Sequence, residues 1–101
     1  MARGNGVNNF SLEETMDLLE VLETILPIGA EEWEAVRQQH FARWPIPGRC
    51  VAAIRRKYNN LHRKKVPTGD PNIAPDVAKA KDIKYQIGAR ASIGDGEEDY
   101  D

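Results

Sequence analysis

The chain has 101 residues, 41% of them hydrophobic and 30% charged, with a formal net charge of −2; this is the size and balance of one small globular domain with ragged ends. A chain this short buries only about 60–65% of its unfolded surface, so the expected core is a single cluster with no enclosed substrate chamber. No apolar run is long enough to span a membrane, the Met1–Gly6 stretch lacks the apolar centre of a secretory signal, and Cys50, standing alone, excludes an intrachain disulfide.

The elements read as helices in chain order, with no convincing strand. Residues 1–9 are polar and glycine-containing and are expected as a disordered lead-in. Ser11 caps the first helix, and Glu14 can reach back to the Ser11 amide as the second half of a capping box. Leu12, Met16, Leu19, Leu22 and Leu26 recur at helical spacing, widened by Leu18 and Ile25, while Glu13, Asp17, Glu20 and Glu23 lie mostly on the exposed side. Pro27 closes this helix, and Gly29 permits the turn that follows.

A second helix begins at Ala30, with Glu31, Glu32 and Glu34 at the positive end of its dipole and Trp33, Val36, His40 and Trp44 on one face. Pro45-Ile46-Pro47-Gly48 breaks the chain before a third helix from about Arg49 to Lys64 or Lys65. Its buried stripe is Val51, Ile54, Tyr58 and Leu61, which close domain 10–66. A linker over 67–75 leads to a shorter fourth helix over 76–90, opened by Pro75, with Val77, Ala80, Ile83 and Ile87 as its stripe. The fourth helix can pack on the core or pair with a second copy; packing is expected, because a bare three-helix core is marginal. Residues 91–101 are expected as an acidic, disordered tail.

Charge is segregated along the chain. Residues 1–34 carry eight acids and one base, residues 35–69 nine bases and no acid, and residues 70–101 eight acids and four bases. A contiguous positive field of this kind attracts polyanions. On a helical wheel the outward face of the third helix carries Arg49, Arg56, Asn60 and Arg63, flanked by Ala52, Ala53, Asn59 and Lys64. Arginine pairs bidentately with guanine and asparagine with adenine, and alanine lets a backbone approach a thymine methyl. Lys57, Lys64 and Lys65 stand to the side or at the end, within reach of phosphates. A merely solvated face would alternate in sign, which this helix does not do.

Phe10-Ser-Leu-Glu-Glu14, Trp33-Glu-Ala-Val36 and the run from Arg49 through Tyr58-Asn59-Asn60-Leu61 resemble the Myb/SANT family. Leu26 to Trp33 and Leu61 to Pro71 are similar, more narrowly, to an uncharacterised Myb/SANT-like family of oomycetes and other simple eukaryotes. The resemblance covers about residues 8–95. It implies an all-α, three-helix helix-turn-helix bundle with one core aromatic per helix, here Phe10, Trp33 and Tyr58, followed by the short fourth C-terminal helix. It also implies a nuclear module that binds double-stranded DNA, in transcription regulation, a chromatin complex or a transposon-derived protein. Aligned on Tyr58, the family's base-contacting places fall on Arg55, Arg56 and Asn59. The full expected interface is Arg49, Arg55, Arg56, Lys57, Asn59, Asn60, Arg63, Lys64 and Lys65. The aromatic gaps of twenty-three and twenty-five residues exceed those of ordinary Myb repeats, so the second helix or its turn is longer, as in the related trihelix proteins.

The alternative is a SANT-type protein-interaction module that binds basic histone tails, through its acidic first helix, or a partner protein. His40, Cys50 and His62 match no zinc-finger spacing, no glycine-rich phosphate loop follows a strand, and no nucleophile–base constellation stands out, so neither metal, cofactor nor enzymatic activity is expected. A second copy of the chain would add specificity, since one module reads few base pairs.

Overall fold

A computed structural model describes residues 10–66 and 72–95. Those residues form four α-helices and no strand: α1 (Leu12–Ile25), α2 (Ala30–Arg43), α3 (Val51–His62) and α4 (Pro75–Asp95). The expected lead-in over 1–9, most of the linker and the last residues of the tail lie outside the described residues.

Ser11 caps α1 as its sequence requires, its Oγ accepting from the Glu14 amide at 3.0 Å. The reciprocal half of the capping box is not made, because the Glu14 side chain is buried and turned to Arg49 and His40. The buried face of α1 is Glu14, Thr15, Leu18, Leu19, Val21 and Leu22. Leu12 is 60% exposed and Met16 only half-buried, so the stripe is rotated from the one the leucine spacing predicts.

α1 ends at Leu26, whose φ of 50° and ψ of 63° put a non-glycine residue in the left-handed region while its amide still bonds Leu22 O at 2.7 Å. Pro27 keeps Leu26 out of the right-handed helix, because a following proline disfavours that geometry in the residue before it. The left-handed conformation costs about 1 kcal/mol for an L-residue, and packing of Leu26 against the core offsets it. Gly29, expected to permit this turn, is instead the extended N-cap of α2.

The α2–α3 connection runs from Trp44 to Cys50. It needs glycine at Gly48, where φ is 89°. Trp44, expected on the buried face of α2, sits past the helix end, half-buried, with Nε1 donating to Asp17 Oδ2 at 2.8 Å. Trp33 and Tyr58 do meet, with ring centroids 6.0 Å apart, whereas Phe10 lies half-buried against His40 and Arg49.

α4 is the longest helix, at 21 residues, and extends five residues into the stretch expected as tail. Val77, Ala80 and Ile83 enter the same core as Leu18, Leu22, Val36 and Ile54, with Ile87 packed against them. Two ion pairs lock it to the rest of the bundle: Lys79 Nζ to Glu23 Oε1 at 2.7 Å, and Arg90 to Glu32 at 2.7 and 2.9 Å. Arg90 also donates to Leu26 O at 2.9 Å, steadying the left-handed residue. No helix among the described residues is long and apolar enough to cross a membrane.

Candidate nucleic-acid interface

α3 buries Ala53, Ile54, Tyr58 and Leu61, with Val51 at the edge of the core. Ala53, expected on the outward flank, is instead buried, on the side of the helix that Phe10 covers. The opposite side of the helix is a shallow depression floored by Val51 and Ala52 and rimmed by Arg55, Arg56, Asn59, Asn60 and Arg63. Arg55, Arg56, Asn60, Arg63, Lys64 and Lys65 are exposed, and Lys57 and Asn59 are half-buried.

Several of these side chains are held in place. The Arg55 guanidinium lies 5.0 Å from the Trp33 ring centroid and the Lys57 amine 5.8 Å from that of Phe10, so both cations lean on aromatic faces. Asn59 Oδ1 is 3.0 Å from His62 Nε2, and the His62 ring packs on Tyr58 at 4.6 Å. Asn60 is thus better placed than Asn59 to offer both ends of its amide outward.

Arg49 is not part of this face. It precedes α3, is only 3% exposed, and gives a bidentate pair to Glu14, Nε to Oε2 at 2.7 Å and Nη2 to Oε1 at 2.9 Å. Its guanidinium stacks 4.0 Å from the Phe10 ring centroid, and His40 Nε2 approaches the same Glu14 Oε2 at 2.8 Å. α3 begins two residues later than the sequence predicts, because Cys50 takes the N-cap position. A helical wheel extended back to Arg49 therefore put it on the wrong side. At the other end the helix stops at His62, so Arg63, Lys64 and Lys65 leave the helix axis as an exposed basic extension.

The electrostatic contrast between elements is sharp. Away from this face, Arg37, Arg43, Arg49, Lys79 and Arg90 each pair with a carboxylate: Glu34, Asp17 and Glu20, Glu14, Glu23, and Glu32 respectively. Among the described residues, Arg55, Arg56, Lys57, Arg63, Lys64 and Lys65 have no such ion pair. Burial, followed by the charges of Lys84, Arg63 and Lys81, holds His62 below the usual histidine range. The Ala53 amide, with a smaller contribution from Arg56, lowers the exposed Cys50 thiol.

Sequence reasoning missed three participants. Glu14 read as a cap because nothing local announces a partner thirty-five residues away. Lys81 and Lys84 lie on α4 beyond the basic run, and only the packing of α4 on α3 brings them beside His62. No group of three or more His, Cys, Asp or Glu side chains among the described residues is arranged to hold a metal ion.

A family model described as Domain of unknown function (DUF6818) matches residues 27–101, about three quarters of the chain. The chain belongs to the DUF6818 family. No curated protein and no solved structure matches it. The match contains the whole outward face of α3 and all of α4, while α1, with Glu14, precedes it. In this DUF6818 domain the basic face is thus carried by elements of the matched region, and the carboxylate that pairs with Arg49 lies outside it.

Proposed function

We propose that this DUF6818 chain is a Myb/SANT-like module that binds double-stranded DNA, with α3 in the major groove. The observation that carries the reading is the set of exposed cations on and after α3 that have no carboxylate partner among the described residues, in a molecule whose other arginines on α2 and α4 are paired internally. Side-chain pairs are the ordinary outcome for surface charges on helices, and a face that forgoes them keeps its charge for an external anion. Arg56 and Asn60, exposed beside the small Ala52, are the foremost base-reading candidates, with Arg55 and Asn59 at the margin. Arg63, Lys64, Lys65 and Lys57 serve the backbone.

The resemblance to Myb/SANT proteins supports the same reading and points to a nuclear role in transcription, chromatin or a transposon-derived protein. The alternative, capture of basic histone tails by α1, is less favoured. Of the acids in residues 1–34, Glu14, Asp17, Glu20, Glu23, Glu32 and Glu34 are already engaged with basic groups of this chain. The direct experiment is selection of bound duplexes from a random pool by the full chain. Recovery of a shared sequence supports base reading by α3; recovery of nothing above background by a folded protein rejects the assignment.

A further inference from the structure

α4 carries cations on two flanks with different fates. Placed on a wheel at 100° per residue, Lys79, Gln86 and Arg90 lie on one side of the core stripe of Val77, Ala80, Ile83 and Ile87, and Lys81, Lys84 and Gly88 lie at its other edge. The first flank faces α1 and the start of α2, where Glu23 and Glu32 neutralise Lys79 and Arg90. The second flank faces the end of α3. There Lys81 Nζ donates to the His62 carbonyl at 3.0 Å, and no carboxylate among the described residues pairs with Lys81 or Lys84.

Lys81 satisfies one of the carbonyls that the end of α3 leaves open and adds positive charge at the negative end of that helix. Lys84, one turn further along the same flank, is exposed. Lys81 and Lys84 from α4 and Arg63 just after α3 thus surround His62, with Lys64 and Lys65 next in the chain. Asp82 is the nearest acid in sequence, but it lies toward the other side of α4 and accepts from Gln86 at 2.6 Å.

We infer that α4 is part of the interface: Lys84, with Lys81 beside it, forms a phosphate-binding extension of α3 that grips the DNA backbone outside the segment α3 reads. This rests on the reading of α3 as the DNA-binding helix and adds to it a second contact element whose contribution is independent of sequence. The chemistry fits phosphate rather than a base edge, because lysine offers a mobile point charge with three donors and no acceptor.

The test measures binding of the full chain to labelled duplexes, one selected and one arbitrary, across a range of salt concentrations. Lys84→Gln is compared with Lys79→Gln on the opposite flank and with Arg56→Ala on α3. The expected result is a severalfold loss for Lys84→Gln on both duplexes, with the slope of log affinity against log salt reduced by about 1, and no change for Lys79→Gln. Thermal melting of each variant separates loss of contact from loss of fold. If Lys84→Gln binds like the parent while Arg56→Ala is impaired, α3 stands as the reader and the α4 extension is wrong. If the folded parent binds neither duplex, both readings fall together.

Discussion

Arg49 and Glu14, thirty-five residues apart, form a buried bidentate ion pair, with Nε–Oε2 at 2.7 Å and Nη2–Oε1 at 2.9 Å. Glu14 lies on α1 and Arg49 immediately before α3, and His40 at the end of α2 reaches the same carboxylate, so one group ties three helices at the foot of the basic face. A carboxylate taken out of water is itself unfavourable, yet Arg49 and His40 more than offset its burial and hold Glu14 below the usual carboxylate range.

Removing either partner strands a buried charge. Glu14→Ala and Arg49→Ala should each destabilise the domain by about 3–5 kcal/mol, and the double variant by clearly less than the sum. Denaturant unfolding of the four proteins checks this. Strict additivity would mean that the two side chains do not act as a pair. Because the folded pKa of Glu14 lies below 4.5, its contribution to stability is complete above that pH and declines as pH falls through the lower folded value.

Trp33 joins the core to the basic face of α3, packing on Tyr58 while its ring supports Arg55. Trp33→Ala should cost about 3–5 kcal/mol through the cavity it leaves, read from the shift in denaturant midpoint. An unchanged midpoint would remove Trp33 from the core.

Gly88 sits inside α4 with nothing within 4 Å of the position a Cβ would occupy. Gly88→Ala should therefore stabilise the chain by about 0.5–1 kcal/mol, seen as a higher Tm. A lower Tm would mean that α4 does not hold its helical form around residue 88.

How much of this was legible follows the range of each interaction. Helical periodicity and the proline and glycine breaks are local signals, and they placed α1, α2 and the middle of α3 correctly, along with Ile54, Tyr58 and Leu61 in the core. The basic character of α3 was equally visible, since charge is carried by the residues themselves. Arg49 was misread because its partner lies on another helix, and a wheel drawn through it assumes a helix that starts only at Val51. The length of α4 escaped for a related reason: its far end is held by Arg90 on Glu32 and Leu26, long-range contacts that override a glycine-containing sequence.

His62 should make the proposed binding depend on pH. It faces Asn59 and Tyr58 from its own helix, Arg63 just after it, and Lys81 and Lys84 from α4, and it is held below its ordinary value of 6.5. A bound phosphate would offset those cations and raise its pKa, so DNA binding should take up a proton and tighten as pH falls toward the depressed value of the free chain. His62→Gln should flatten the pH profile without abolishing binding. A parent profile already flat between neutral pH and mild acid would place His62 away from the DNA.

Base reading and backbone contact separate by substitution. Arg56→Ala should cost about 1–3 kcal/mol on a selected duplex and much less on an arbitrary one, whereas Lys64→Ala should weaken both alike. Equal losses from both variants on every duplex would mean attraction to charge without reading of sequence.

The most direct measurement is the affinity of the full chain for duplex DNA as salt is raised. An unpaired cationic face that neutralises phosphates predicts a straight fall of log affinity against log salt, steeper by about 0.9 for every phosphate engaged. Absence of binding by the folded chain, or an affinity indifferent to salt, would contradict the account.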